Sequence, residues 1–186
     1  MSDLAIAEQV VAHPICRAAD ASGLVPPRPG YYAIFIDDPY SLPKPFQDLL
    51  IKRQTSLIYI GIATISLINR LFEQDLRHQN PSTFFRAIGA ILDYRPVPGS
   101  LAGMKNQKNY KFSTSDTAEV VRWIDNHVLV SWVEANPALQ GIEQALIRQY
   151  CPIINTKHNQ HAVAQLAALR RECRRIARMI PNSPNT

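Results

Sequence analysis

Two apolar segments, YYAIFI (31–36) and LIYIGIA (57–63), constrain the fold of this chain more than any other feature. Aromatic and β-branched residues dominate both segments, and such residues favour strands. The first segment ends before Asp37, and residues 39–48 contain three prolines, which predict a loop. We expect the two segments to pair antiparallel. Because the second segment is apolar almost throughout, we expect it to lie centrally in the sheet.

The rest of the sequence predicts one further strand and several helices. Residues 128–134 predict the strand, and the three prolines between residues 26 and 29 predict a rigid linker. Residues 95–114 predict a long polar loop. Apolar spacing and capping residues (Ser66, Ser82 or Thr83, Asp116 with Glu119, and Asn136-Pro137) predict helices over 4–19, 67–78, 84–93, 117–127, 138–150 and 162–179. The predicted fold class is α+β, a small three-stranded antiparallel sheet flanked by helices, plus a basic C-terminal helix.

Length and charge predict three parts of the chain. The 186 residues favour one domain over 29–160, preceded by an N-terminal helix and proline-rich linker over 1–28. Residues 161–186 form a basic amphipathic helix and tail, with an apolar stripe at Leu166, Leu169, Cys173, Ile176 and Ile180. The formal net charge is +5, and residues 160–180 carry five arginines against one glutamate. Such a stripe is often a solvated face, but it also permits a polyanionic partner.

Cysteine and hydropathy patterns indicate a reducing compartment and no membrane partner. Cys16, Cys151 and Cys173 are widely spaced and form no CxxC pair, so we expect free thiols and a cytoplasmic protein. The N-terminus lacks the basic region of a signal peptide, and no apolar run is long enough to cross a bilayer. His158-x-x-His161 lies near Cys151, but its spacing is not that of a zinc site.

Five residue patterns that carry chemistry follow one another along the chain. Taken singly, each has an ordinary explanation, such as a strand aromatic, a surface arginine or a solvated glutamate. Independent explanations do not account for the order and spacing of the whole set. The set comprises Gly30-x-Tyr32, Tyr59-Ile60-Gly61, Arg70, Glu143 in E-x2-LI-x2-Y-x-P-x2-N, and Asn155.

This ordered set resembles the GIY-YIG nuclease superfamily over residues 29–160. SerThrPhePheArg (82–86) and the HisAsn pair (158–159) look like those of stand-alone bacterial proteins with this domain. The resemblance implies that Tyr32 and Tyr59 face the site from paired strands, and that one of them positions or deprotonates the attacking water. It implies that Arg70 holds the scissile phosphate, that Glu143 binds one Mg²⁺ or Mn²⁺ ion, and that Asn155 orients a loop or a site water.

The chemistry of these residue types agrees with the implied roles. A guanidinium matches a phosphate in two-pronged fashion, which lysine cannot do. One carboxylate is a sufficient protein ligand for Mg²⁺, because this ion keeps much of its hydration shell.

Two positions depart from the family pattern. Ile62 occupies a position where some members carry lysine, and Gln74 occupies one where many carry histidine or tyrosine. Glutamine can orient a water but cannot take its proton at neutral pH. His78, one helical turn further on, is a candidate substitute, and Gly61, Gln74 and His78 are the possible auxiliary residues.

The resemblance implies a metal-dependent DNA endonuclease that hydrolyses phosphodiester bonds and contacts duplex DNA mainly through phosphates. The alternative is a binding module of the same fold with lapsed catalysis, which holds nucleic acid or a partner protein. Both hypotheses use a predicted set of basic residues that contact DNA. For each of these residues, a solvated basic surface is an equally good explanation. The set is Arg86, Lys105, Lys108, Arg170, Arg171 and Arg174.

Overall fold

A four-stranded antiparallel sheet forms the centre of the protein. The computed structural model describes residues 3–136 and 140–179. The strands lie in the order β1-β4-β2-β3, with every neighbouring pair antiparallel, and they comprise β1 (Cys16–Arg17), β2 (Gly30–Ile36), β3 (Leu57–Ala63) and β4 (Val128–Glu134). The α+β class and the antiparallel pairing of β2 with β3 are confirmed. The prediction of three strands is wrong, because the two-residue β1 pairs with β4.

The N-terminal segment is not one long helix. Helix α1 spans Asp3–Ala12 and ends before Pro14, whereas the prediction extended it to residue 19. Residues 16–17 form β1, and a short 3-10 helix follows at Ala18–Ala21. Proline cannot continue an α-helix, since its nitrogen carries no hydrogen to donate.

Strand β3 lies at the edge of the sheet, so its predicted central position is wrong. Its outer side is nevertheless hydrogen-bonded, because Ile154 N donates to Ile58 O at 3.0 Å. The side-chain amide of Asn155 completes this edge: its Oδ1 accepts from Ile60 N and its Nδ2 donates to Ile60 O, both at 2.9 Å. An unpaired edge would leave these backbone groups unsatisfied in a buried environment.

The proline-rich segment contains a helix that the sequence reading missed. Helix α2 spans Lys44–Arg53, with Pro43 as its N-cap and Pro45 in its first turn, where a missing N–H costs nothing. A short 3-10 helix precedes it, and a π-helix over Ile68–Leu76 replaces the predicted α-helix over 67–78. The remaining helices are α3 (Thr83–Ile91), α4 (Thr114–His127), α5 (Gln140–Tyr150) and α6 (Ala164–Arg178).

Serine side chains start two of these helices. The Ser82 hydroxyl accepts from Phe85 N at 2.9 Å and caps α3, as one of the two predicted alternatives. The Ser113 hydroxyl accepts from Asp116 N at 3.0 Å, so α4 begins earlier than predicted. The predicted helix start at Asn136-Pro137, Leu139, Ile180 and the tail lie wholly or partly outside the described residues.

Apolar side chains fill both faces of the sheet. One face carries Tyr32, Ile34 and Ile58 and packs against α3, α4 and α6. The other face carries Tyr31 and Ile60 and packs against α1 and α5. Helix α6 buries Leu166, Cys173 and Ala177 in the first of these cores, so the basic helix is an integral part of the packing.

The cysteines and the lengths of the helices bear on two further predictions. Cys16, Cys151 and Cys173 are all free, as predicted. Within residues 3–136 and 140–179, no helix combines the length and the apolar character that crossing a bilayer requires.

Gly30 begins β2 where the backbones of β2 and β4 approach closely. A Cβ atom at this position would lie 2.1 Å from the carbonyl oxygen of Val133, and the strands would have to separate. We expect Gly30→Ala to lower the free energy of unfolding by about 2–3 kcal/mol, measured by urea denaturation. Gly141→Ala is the matched control, because nothing lies within 4 Å of its added methyl group. Equal stability of the two variants would contradict this account of strand packing.

Candidate active site

A cavity of about 310 Å³ brings together three of the predicted site residues. Tyr59 enters it from β3, Glu143 from α5, and Asn155 from the segment that follows α5. Residues distant in sequence therefore share one wall. The other lining residues are Ile62, Thr83, Gln144, Ile147, Ile154, Thr156, Lys157 and His158.

A bulge in β3 directs Tyr59 toward this cavity. Ile34 pairs with Tyr59 and Phe35 with Leu57, so Ile58 has no partner on β2. A bulge of this kind re-aims the side chains around it. Tyr59 is 7% exposed, and its ring lies 6.2 Å from the ring of Tyr32 and 5.4 Å from that of Phe84.

Asn155 holds the strand that carries Tyr59. Its amide forms both hydrogen bonds with the backbone of Ile60, the residue after Tyr59. The Asn155 backbone oxygen accepts from Asn159 Nδ2 at 2.8 Å, and the same amide nitrogen donates to Pro152 O at 2.7 Å. The side chain of Asn155 therefore stabilises the backbone that forms the site.

A buried carboxylate, Asp75, lies behind Tyr59. It is fully buried and accepts hydrogen bonds from Tyr32 Oη at 2.6 Å, Ser82 Oγ at 2.6 Å and Arg70 Nη1 at 2.5 Å. Arg70 and Tyr32 are therefore fixed together, although neither lines the cavity itself. The Arg70 side chain is 28% exposed, so it reaches solvent from this network.

The π-helix explains why the sequence reading missed Asp75. Residues five apart on an α-helix point about 140° away from each other, so Arg70 and Asp75 would lie on different faces. The wider turn of a π-helix, with hydrogen bonds from residue i+5 to residue i, brings them onto adjoining positions. The Arg77 N to Phe72 O bond at 3.0 Å shows this spacing. The sequence would indicate Asp75 as a partner of Arg70 only if the π-helical turn were already known.

Gly61 is required by the position of Tyr32. The two residues face each other across the β2–β3 pair, and a Cβ atom at position 61 would lie 2.2 Å from Tyr32 Cζ. The phenol ring therefore lies directly on the glycine backbone. This contact gives a steric reason for the glycine in the Tyr59-Ile60-Gly61 motif.

Burial and charge keep both tyrosines protonated at neutral pH. Burial is the main cause that raises the pKa of Tyr32 and of Tyr59, and the negative charge of Asp75 raises both further. Arg70 acts in the opposite direction on each pKa. Burial works to lower the pKa of Arg70, but Tyr32, Asp75 and Tyr59 outweigh it, and the pKa is raised. Arg70 is a permanent cation in this site.

Glu143 is the acidic residue of the cavity wall. Burial raises its pKa above the ordinary value of 4.5, while the positive charges of Arg70 and Lys157 act to lower it. Arg70 is close to the cavity through its partner Asp75, which also binds Tyr32, and the ring of Tyr32 lies 6.2 Å from that of Tyr59.

The donor set fits a hydrated hard cation. No group of three or more histidine, cysteine, aspartate or glutamate side chains in the described part of the chain could hold a metal. Glu143 offers one carboxylate with an amide from Gln144 nearby on the same wall. Mg²⁺ binds through one or two carboxylates, waters and substrate phosphates, so this wall fits Mg²⁺ or Mn²⁺ and does not fit a structural zinc ion.

None of the three predicted auxiliary residues, Gly61, Gln74 and His78, lines the cavity. Gln74 Nε2 donates to Pro81 O at 2.6 Å. His78 stacks on Phe85 with ring centroids 4.2 Å apart, and burial, with help from Arg86, lowers its pKa to about 4. Neither residue is among those that line the cavity. His78 is a neutral, packed side chain at neutral pH.

Most of the predicted DNA-contacting residues line a second opening of about 520 Å³. Arg86, Lys108, Arg170, Arg171 and Arg174 all contribute to its wall, whereas Lys105 does not. Lys157 lines it too, and the sequence reading did not single it out. The only sequence feature that indicates Lys157 is its position two residues after Asn155. We call this opening the basic cleft.

We expect Asp75→Asn to destabilise the protein, since it leaves the buried end of Arg70 without a counter-ion. Removing one partner of a buried pair costs on the order of 3 kcal/mol, measured as the loss in unfolding free energy by urea denaturation. Asp48→Asn is the control, because Asp48 pairs with Lys44 on an exposed surface. That pair should contribute less than about 1 kcal/mol. Similar small effects for both variants would show that Asp75 does not organise the site.

Comparison with known proteins agrees with the geometry. The family profile described as the GIY-YIG catalytic domain matches residues 30–175, which includes every strand of the site and most of α6. The chain matches no curated protein and no solved structure at a significant level. The members of the matched family are generally endonucleases. Because the match spans most of its length, this chain belongs to the GIY-YIG family.

Proposed function

We propose that this protein is a metal-dependent DNA endonuclease that hydrolyses phosphodiester bonds at the cavity beside Tyr59. The observation that carries the proposal is the convergence of Tyr59, Glu143 and Asn155 on one cavity, with Arg70 anchored next to it. Phosphodiester hydrolysis needs a positioned water and positive charge around the phosphate. These residues supply the groups for both tasks.

Arg70 is the proposed phosphate ligand. Its Nη1 atom donates to Asp75, and no described residue accepts a hydrogen bond from its Nε or Nη2. Those two donors form the planar pair that matches two oxygens of a phosphate. Anchoring by Asp75 holds the guanidinium in place before substrate arrives, which reduces the ordering that binding requires.

Tyr59 is the phenol assigned to the attacking water. Tyr32 uses its hydroxyl on Asp75 and lies outside the cavity, whereas Tyr59 lines it. Since the pKa of Tyr59 is raised, its hydroxyl is protonated and orients water by hydrogen bonding. Tyr32 is assigned to positioning, because it links β2 to Asp75.

Glu143 is the residue that would hold the divalent cation. A bound Mg²⁺ or Mn²⁺ ion supplies Lewis-acid activation of the phosphate and lowers the pKa of bound water. Lys157 lines the same cavity and adds positive charge to it. The three free thiols support action in a reducing compartment, which we take to be the cytoplasm.

The proposal predicts Mg²⁺- or Mn²⁺-dependent nicking of supercoiled plasmid DNA. Glu143→Gln and Arg70→Ala should each reduce the nicking rate at least about 100-fold, because each removes a charge used in the transition state. Gel analysis of plasmid topology measures the rate. Glu119→Gln, which alters an exposed acid on α4, is the control and should retain full activity.

Persistent cutting by purified Glu143→Gln would remove this carboxylate from the reaction. A wild-type protein that binds DNA in a salt-sensitive manner, but nicks it with neither metal at any pH, would favour the lapsed binding module instead.

Glu143 also predicts a conflict between activity and stability. The raised pKa of Glu143 means that the folded state disfavours its ionised carboxylate. The protonated carboxyl therefore contributes stability below pH 4.5, and this contribution is lost as the pH rises through the raised pKa. We therefore expect Glu143→Gln to have a higher melting temperature than wild type at pH 7.5, and the difference to shrink toward pH 4. Differential scanning fluorimetry measures both.

Added Mg²⁺ should raise the melting temperature of wild type and leave that of Glu143→Gln unchanged. A lower melting temperature for Glu143→Gln at pH 7.5, or an equal response of both proteins to Mg²⁺, would contradict the assignment.

A further inference from the structure

Basic side chains converge on the cleft from several separate parts of the fold. Arg86 comes from α3, Lys108 from the long loop, Lys157 from the segment after α5, and three arginines come from α6. Among the residues that the structure describes, no aspartate or glutamate lines the opening. Thr83, Tyr110, Thr156 and Ala167 complete its wall. A surface that gathers like charges in this way is unfavourable by itself and attracts an anion.

Arg86 is the unusual member of this set, because it is a buried cation that forms no ion pair with any described residue. The residue is 7% exposed, and its Nη1 atom is buried without a hydrogen-bond partner. No described aspartate or glutamate forms an ion pair with it, and its guanidinium carbon lies 5.7 Å from the centre of the Tyr110 ring. A buried unpaired cation lowers stability, so stability does not explain its presence.

Arg170 fixes a second guanidinium at the same cleft. It donates to Thr156 Oγ1 at 3.2 Å and to Ile154 O at 3.3 Å, which holds its side chain against the segment beside the cavity. Burial is the main cause that lowers the pKa of Arg86, and the positive charge of Arg170 lowers it further. Two guanidinium groups of like charge thus line the same cleft, and the pKa of Arg86 is lowered although the negative charge of Asp75 acts to raise it.

The cleft adjoins the cavity beside Tyr59. Thr83, Thr156 and Lys157 line both openings, so one extended ligand can occupy them together. A nucleic-acid strand has this form, with a charged phosphate at each step along its backbone.

We propose that the basic cleft is a phosphate subsite, in which Arg86 and Arg170 bind a backbone phosphate of the DNA strand whose neighbouring phosphodiester lies in the catalytic cavity. This inference rests on the proposed function for the identity of the ligand. The arginines of α6 at positions 171 and 174 contact phosphates on the rim of the same cleft. Binding therefore follows the backbone and carries little sequence preference.

The test is DNA binding in EDTA, measured by fluorescence anisotropy with a short labelled duplex. Arg170→Gln, Arg171→Gln and Arg174→Gln should each weaken binding about 3- to 10-fold and reduce the salt slope by about 1. Arg175→Gln is the matched control, since Arg175 lies on the same helix but does not line the cleft. Equal weakening by Arg175→Gln would indicate a general charge effect and overturn the proposal.

Arg86→Met separates a ligand-binding role from a structural one. It keeps the apolar stem and removes the buried charge, so the melting temperature should stay the same or rise while DNA binding weakens. A lower melting temperature with unchanged DNA binding would overturn the assignment. If Arg86→Met does not fold, the Arg170→Gln and Arg175→Gln pair still decides the question. Tighter binding of a polyglutamate probe than of DNA would also overturn it.

Activity measurements distinguish this inference from the proposed function. With Mg²⁺ present, Arg170→Gln should raise KM for DNA and leave kcat close to wild type, because it acts on a phosphate that does not react. If Arg170→Gln nicks DNA with a wild-type KM, the subsite is overturned and the proposed endonuclease activity stands. Cleft-dependent binding in EDTA without any nicking would retain the subsite and remove the endonuclease.

Discussion

One buried carboxylate ties the candidate site together. Asp75 accepts hydrogen bonds from Tyr32 on β2, from Arg70 on the π-helix and from Ser82 at the start of α3. A carboxylate without these donors could not remain buried, and without it these donors would lack a common acceptor. The network holds Arg70 beside the cavity and Tyr32 against Gly61. The candidate site therefore rests on a layer of buried side chains around Asp75, from which Arg70 extends to solvent.

The position of the site follows from the sheet topology. Strand β3 lies at an edge, and residues 154–155 satisfy its backbone in place of a fifth strand. Helix α5 approaches the same edge and contributes Glu143, while Tyr59 points from the strand itself. The segment after Asn155 passes from the cavity to the basic cleft through Thr156 and Lys157. A single edge thus joins the candidate reactive groups to a surface suited to polyanions.

Much of this architecture is predictable from the sequence, and the exceptions have physical causes. Residue type and spacing predict β2, β3, β4, α3 and α6, and Tyr59, Glu143 and Asn155 converge as their order in the chain implies. Helix α2 is not apparent in the sequence because prolines usually interrupt helices, whereas here Pro43 is the N-cap and Pro45 lies in the first turn. Asp75 and the roles of Gln74 and His78 depend on a π-helix, which no apolar periodicity reveals. The two-residue β1 is too short to leave a strand pattern.

The most direct test is a crystal structure with Mn²⁺ and a phosphorothioate duplex that resists cleavage. The account predicts an anomalous peak beside Glu143 and a phosphate that accepts hydrogen bonds from the Nε and Nη2 atoms of Arg70. It also predicts that the ion pair between Arg70 and Asp75 is retained. A metal bound away from Glu143, or a duplex whose phosphates do not reach Arg70, would contradict the account.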